Sequence, residues 1–190
     1  MKAMLGALRL SLLLLVICGG VYPAATTLVG QVAFNRQANG SLVTKADGTV
    51  IGSELIAQPF DKDQYFHSRP SAAGPDGYDA AASSGSNLGP TNKVLTDRVA
   101  AAASDLKAEN PSLTTLPADL LTTSASGLDP DITVAAAMAQ VPRVAKARSL
   151  PEARIVALVN EKTIGPELGL FGARRVNVLL LNLALDALKS

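Results

Sequence analysis

The chain has 190 residues, with 17 Lys and Arg against 16 Asp and Glu, and the resulting net charge of +1 argues against a partner held by phosphate neutralisation. Hydrophobic residues make up 48% and charged ones 17%, which excludes a disordered chain. One Cys and one His exclude an intrachain disulfide and a cysteine zinc cluster and leave no basis for a metal centre.

Across residues 10–35 the only ionisable side chains are Cys18 and Tyr22. About 20 such residues cross the roughly 30 Å hydrocarbon layer as a helix. Residues 1–35 are therefore expected to form a single-pass anchor with a short cytoplasmic start, since Lys2 and Arg9 precede the apolar run. Residues 36–190 then form one extracytoplasmic domain. A cleaved signal peptide competes with this reading, because small residues at Ala24 and Ala25 follow the apolar run. Leu28, Val29, Val32 and Phe34 continue the apolar character and favour a retained anchor. If the helix runs on to about Val29, Pro23 is expected to kink it near Gly19 and Gly20. Ala3, Ala7 and Ser11 recur every fourth residue, the small-residue spacing through which membrane helices pack closely. Cys18 reads as a buried, inert thiol, because bulky Ile17 precedes it where lipid attachment prefers a small residue.

Beyond the anchor the pattern predicts an α+β fold, a single mixed α/β domain. Residues 41–44 and 49–56 flank Lys45-Ala46-Asp47-Gly48, where Asp-Gly suits a tight hairpin. Residues 65–69 precede Pro70 and are expected to be extended. Residues 71–90, rich in Gly, Ala, Ser, Asn and Pro, predict a long loop. Leu95, Val99, Ala102, Ala103 and Leu106 share a face of a helix of about 18 residues that stops at Asn110-Pro111. Asp129-Pro130-Asp131 is expected to open a second helix, which Pro142 breaks or kinks to leave residues 143–148 as a short basic helix. Pro151 starts a third. Residues 176–181 read as a buried strand, and residues 182–188 as a closing helix.

Generic catalytic readings are weak. Gly85 to Lys93 misses the phosphate-loop pattern, because the lysine does not adjoin the second glycine. Ser104-Asp105-Leu106-Lys107 matches Ser-x-x-Lys, a nucleophile one turn from a base, and makes a membrane-anchored Ser-Lys hydrolase the weakest of the functional alternatives. His67 lacks an evident triad. Asp61 with Asp63, and Asp129 with Asp131, are spaced like fragments of a calcium loop whose ligand series does not continue. Arg143, Lys146 and Arg148 suit the end of a helix.

Several runs remain that generic physics does not explain. Gln37-Ala38-Asn39-Gly40-Ser41-Leu42, Gly52-Ser53-Glu54-Leu55-Ile56-Ala57-Gln58 and Tyr65-Phe66-His67-Ser68-Arg69-Pro70-Ser71-Ala72 come first. Gly85-Ser86-Asn87-Leu88-Gly89-Pro90-Thr91-Asn92, Ser126-Gly127-Leu128-Asp129-Pro130, Arg143-Val144-Ala145-Lys146-Ala147-Arg148 and Val176-Asn177-Val178-Leu179 follow in order. Together they resemble the C subunit of the bacterial Kdp potassium-transporting P-type ATPase over essentially the whole chain, with Asp131 standing where members often carry His or Asn. The resemblance implies an inner-membrane complex with a channel-like subunit, a P-type ATP-hydrolysing subunit and a small fourth subunit. It further implies a non-catalytic catalytic chaperone that raises the ATP affinity of the P-type subunit, with Gln140 and Arg143 as nucleotide contacts. No tightly bound cofactor is expected, ATP acts through the complex, and potassium is the transported ion. Membrane lipid is a further partner, and nucleic acid is not. Because the charge asymmetry places the domain outside while ATP is cytoplasmic, a second role is expected. The domain caps the outer mouth of the channel-like subunit through Tyr65, Phe66, Arg69, Pro70, Ser86, Asn87 and Leu88 and influences ATP affinity indirectly.

Overall fold

A computed structural model describes residues 1–45 and 47–188 and divides the chain into two units, Met1–Leu42 and Val43–Ser190. The first is a helix from Lys2 to Ala33, 32 residues in which an 18-residue window reaches a mean hydropathy of 2.2, with none of it buried. At 1.5 Å per residue it is about 48 Å long, more than a hydrocarbon layer requires. It comprises α1 (Lys2–Val16), a π-helical turn (Ile17–Val21) and α2 (Tyr22–Ala33). Pro23 has no N–H and its ring crowds the carbonyl one turn back, so the irregularity expected at Gly19 and Gly20 takes the form of this wider turn. Cys18 is a free cysteine on this helix with no protein packed over it. Phe34 leaves helical geometry, and the short α3 (Asn35–Ala38) follows. Asn35 and Asn39 both donate to Gln31 Oε1 there, at 3.2 and 3.1 Å.

From the last residue of the first unit onward, β1 (Leu42–Thr44) and β2 (Val50–Ser53) form a two-stranded sheet. Thr49 N donates to Asp47 Oδ1 at 2.9 Å and Gly48 has φ +83°, the turn chemistry that Asp-Gly supplies. Ala46, in the predicted turn, lies outside the described residues. Helix α4 (Lys93–Glu109) starts on Asn92, whose side chain accepts from Val94 N, and of its apolar face only Leu106 is buried. A 3-10 turn (Ala118–Leu120) precedes β3 (Asp131–Thr133), α5 (Val134–Arg148), α6 (Glu152–Glu161), β4 (Thr163–Ile164), β5 (Arg175–Asn177) and α7 (Val178–Ala187). The second sheet is antiparallel in the order β3-β5-β4, with Ile132 opposite Val176 and Thr163 also opposite Val176. Phe66, Ile132, Val144, Ile155, Val159, Val176, Leu181 and Leu185 fill the core between this sheet and α5, α6 and α7.

Three sequence expectations are corrected here. Asp131 opens a strand and not a helix, because Ile132 and Thr133 pair with β5, and Thr133 Oγ1 then caps α5 by accepting from Ala136 N at 3.1 Å. Pro142 does not break α5, which runs unbroken to Arg148; Val141, Arg143, Val144 and Ala145 are all buried around it, and that packing outweighs the roughly 3 kcal/mol cost of an interior proline. The strand ends at Asn177, so Val178 to Leu181 is helix: Leu180 N donates to Asn177 Oδ1 at 3.1 Å and starts α7 there. An apolar run with no clear period does not distinguish a buried strand from a buried helix.

Candidate functional site

Residues 63–69 form no regular secondary structure, yet two side-chain amides hold them as neighbouring strands would. Phe66 N donates to Asn182 Oδ1 at 2.8 Å, and Asn182 Nδ2 donates back to Phe66 O at 2.9 Å. One residue on, His67 N donates to Gln140 Oε1 at 2.7 Å and Gln140 Nε2 donates to His67 O at 3.2 Å. One amide comes from α7 and the other from α5, and between them they satisfy the backbone of a loop that must run through the interior. Phe66 is fully buried, so its ring belongs to the core and offers no outer surface to a partner.

Arg143 completes the arrangement. Its Nε reaches Glu109 Oε2 at 2.9 Å, its Nη1 donates to the carbonyls of Asp63 (2.7 Å) and Tyr65 (3.0 Å), and its Nη2 donates to Gln140 Oε1 at 2.7 Å. Gln140 Nε2 also lies 3.4 Å from Ala136 O, so both of its polar atoms are engaged. Asn110 Nδ2 donates to Ala139 O at 3.1 Å and, with the Glu109 bridge, fixes the end of α4 to α5. Arg148 donates to Gln64 O at 2.8 Å, bridges Asp186 at 2.6 Å and lies over the Tyr65 ring, 5.0 Å from its centroid. Tyr65 OH donates to Asp186 Oδ2 at 3.1 Å. Arg143, buried, and Arg148, half-buried, thus both serve backbone carbonyls, whereas Lys146 is exposed.

Beside this clamp is a cavity of about 290 Å³ lined by Asp61, His67, Tyr78, Asp105, Glu109 and Gln140 among others. Three of these are carboxylates, an arrangement that repels a phosphate chain. Burial, and after it the charge of Arg143, hold His67 below its ordinary pKa of 6.5. The folded chain therefore carries a neutral imidazole where the unfolded chain still binds a proton. The His67 contribution is fully present above pH 6.5 and is lost as pH falls from there through the lowered folded value. The denaturation midpoint should drop on acidification below pH 6.5, and His67→Gln should flatten that segment of the profile. Equal slopes in the two proteins would contradict the assignment. At β3, burial raises the pKa of Asp131 despite the opposing charge of Arg175, whose Nε is 3.0 Å away.

The 71–90 loop is tied down by hydroxyls and close backbone approach. Ser71 Oγ donates to Gly127 O at 2.6 Å and accepts from Tyr78 N at 2.8 Å, while Tyr78 OH donates to Arg69 O at 2.8 Å. Arg69 in turn bridges Asp129 at 3.1 Å and donates to Thr123 O at 3.3 Å. Gly127 has φ +68°, and a Cβ there would lie 2.5 Å from Ser84 O and 2.8 Å from Ala73 N. Gly127→Ala should therefore cost about 2 kcal/mol, read from urea denaturation of the full chain in detergent. An unchanged midpoint would mean that the loop is not locked there.

The structure thus brings Tyr65 and Phe66 into the region that Gln140, Arg143 and Asn182 hold, whereas Arg69 bonds separately to Asp129 and Thr123, with Pro70 half-buried beside the cavity. Ser86 and Leu88 are half-buried and Asn87 exposed, further along the loop. Ala3, Ala7 and Ser11 are all exposed on α1. Ser104 and Lys107 are exposed on α4, joined by no hydrogen bond and lining none of the cavities described here. No cluster of three or more His, Cys, Asp or Glu able to hold a metal occurs among the described residues. Sequence reasoning missed Asn182 and Glu109; a single amide inside the apolar run 178–185 is the signal that would have found the first.

The family profile described as K+-transporting ATPase, c chain, matches residues 4–187. A potassium-transporting ATPase KdpC subunit of Caulobacter vibrioides (strain NA1000 / CB15N) is 57% identical over 172 residues, 90% of this chain and 86% of that protein. Its counterpart in Rhodopseudomonas palustris (strain BisB18) is 54% identical over 200 residues, the full length of both. A third, from Nitratidesulfovibrio vulgaris, is 53% identical over 183 residues, 96% of this chain and 92% of that one. With a match along almost its entire length, the chain belongs to the KdpC family, the c chain of K+-transporting ATPases.

Proposed function

We propose that this chain is a non-catalytic assembly and coupling subunit that acts from the outer side of the bacterial inner membrane. Lys2 and Arg9 keep the start of the helix in the cytoplasm, and residues 36–190 lie outside. Its partners are the channel-like potassium-translocating subunit, the P-type ATP-hydrolysing subunit and the small fourth subunit. The helix joins them through Ala3, Ala7 and Ser11, whose small side chains admit a neighbouring helix. The domain caps the outer mouth of the channel-like subunit with Tyr65, Arg69, Pro70, Ser86, Asn87 and Leu88, on the framework that buried Phe66 fixes.

The catalytic-chaperone effect, a raised ATP affinity of the P-type subunit, is then indirect. Outer contact favours one conformation of the complex, and that bias appears as a coupling free energy at the distant nucleotide site. One observation carries this reading: every polar side-chain atom of Gln140 and Arg143 is already bonded to residues 63–67, to Glu109 or to the other of the pair, beside a cavity lined by carboxylates. A nucleotide contact there would require this part of the core to open.

The test compares membranes that hold the partner subunits with and without the full chain. Omitting the chain should disperse the complex in mild detergent or raise its KM for ATP. Assembly, KM and potassium dependence all unchanged would reject the proposal.

A further inference from the structure

The outer end of the membrane helix does not run straight into the chain that follows. About 20 residues cross the hydrocarbon layer, and counted from Arg9, the last charged residue before the apolar run, they end at Val29. Gly30 and Gln31 therefore fall at the outer boundary. At Phe34 the backbone leaves helical geometry (φ −134°, ψ 41°), and α3 turns back along α2. Asn39 Nδ2 donates to Gln31 Oε1 at 3.1 Å, and a Cβ built on Gly30 would lie 3.7 Å from Ala38 Cβ. In a continuous helix residues with that separation in sequence are about 12 Å apart. Gly30 alone from residue 2 to residue 33 is half-buried, under this fold-back. Gly40 N then donates to Gln37 O at 3.1 Å and Ser41 N to Arg36 O at 2.9 Å around Gly40 at φ +85°, the helix stop that a glycine permits.

We propose that α3 is a hook seated in the outer headgroup layer of the bilayer, with Arg36 and Gln37 among the lipid phosphates. The proposal rests on the reading of residues 1–35 as a retained anchor and gives that anchor a defined contact with phospholipid headgroups. Depth is the first observation that carries it. With Ala38 at the level of Gly30, the hook rises about 6 Å from the boundary to its turn at Phe34, and a headgroup layer is roughly 5–7 Å thick. The second is how its polar groups are satisfied. Gln31 Oε1 accepts from Asn35 at 3.2 Å and from Asn39 at 3.1 Å, and Asn39 Nδ2 also donates to Asn35 O at 2.7 Å. These amides close their bonds among themselves, as a chain needs where water is thin. The third is charge: no Asp or Glu precedes Asp47, so no carboxylate on the hook repels a phosphate, and Arg36 and Gln37 are exposed. Ala38, the small residue of α3, faces Gly30, which leaves Asn35, Arg36 and Gln37 outward. Those residues suit headgroups better than a neighbouring helix, which packs closely on small side chains.

The test uses the full chain with its partner subunits in vesicles of phosphatidylethanolamine and phosphatidylglycerol, doped with a nickel-chelating lipid whose metal relaxes a nearby nitroxide. One sample is labelled on Cys18, the single cysteine, which lies about 12 Å inside the nearer hydrocarbon boundary. The other is labelled on Gln37→Cys in a Cys18→Ser background. Nickel lipid should relax the label at residue 37 at least about fivefold more than the label at residue 18. Arg36→Glu sets a carboxylate among the phosphates and should lower the relaxation at residue 37 about threefold or more, with the value at residue 18 unchanged. Equal relaxation at the two positions, a label at residue 37 immobilised by a partner subunit and shielded from nickel lipid, or no effect of Arg36→Glu would overturn the hook and leave the anchor standing. Recovery of the chain cut near Ala24 would overturn both.

Discussion

Arg143→Met is expected to destabilise the second unit by about 3–5 kcal/mol, enough to unfold much of a marginally stable domain. The guanidinium side chain is only 8% exposed and serves four acceptors on three segments: Glu109, the Asp63 and Tyr65 carbonyls, and Gln140. Methionine fills much of the volume but leaves the two carbonyls and Gln140 Oε1 short of donors inside the protein, and each orphaned group costs about 1–3 kcal/mol. Arg143→Lys should recover little, because a single ammonium cannot span acceptors arranged around a planar fork. Urea denaturation of the full chain in detergent, followed by circular dichroism, reads the loss directly. A midpoint within the error of the parent would contradict the clamp.

Phe66→Ala should cost about 3–5 kcal/mol by the same measurement, since it empties a fully buried aromatic site. The two amides still hold the Phe66 and His67 backbone in the variant, so the surrounding segments relax only partly into the cavity. Phe66→Leu keeps most of the volume and should recover more than half of the loss. If alanine and leucine behave alike and mildly, the ring is not the core element the packing indicates.

Much of this architecture was legible from local pattern. The α4 period, its stop at Asn110-Pro111, Pro151 before α6 and the Asp-Gly turn all report chemistry confined to a few neighbouring residues. The misreadings share a different cause. Whether α5 survives Pro142 depends on what packs around it, and whether residues 178–181 coil or extend depends on an Asn177 cap inside an apolar run. The site was harder still. Gln140 and Arg143 were singled out through family resemblance, but their partners lie far off in the chain: His67 is 73 residues from Gln140, and Phe66 is 116 from Asn182. No spacing rule connects such groups. Tyr65 and Arg69 drew notice as an aromatic and a cation near a proline, which is how interface residues look, yet both are partly engaged in internal bonds. The exposed apolar turn between β4 and β5 passed unnoticed because a short run such as Leu168-Gly169-Leu170-Phe171 reads equally as core until its exposure is known.

Equilibrium binding of ATP to the purified full-length chain, free of its partner subunits, tests most directly whether the Gln140–Arg143 constellation holds the fold and not a nucleotide. The account predicts no saturable binding at millimolar nucleotide, because the candidate contacts are occupied and their cavity is acidic. Saturable binding that Arg143→Lys abolishes while leaving the circular dichroism of the chain unchanged would contradict it.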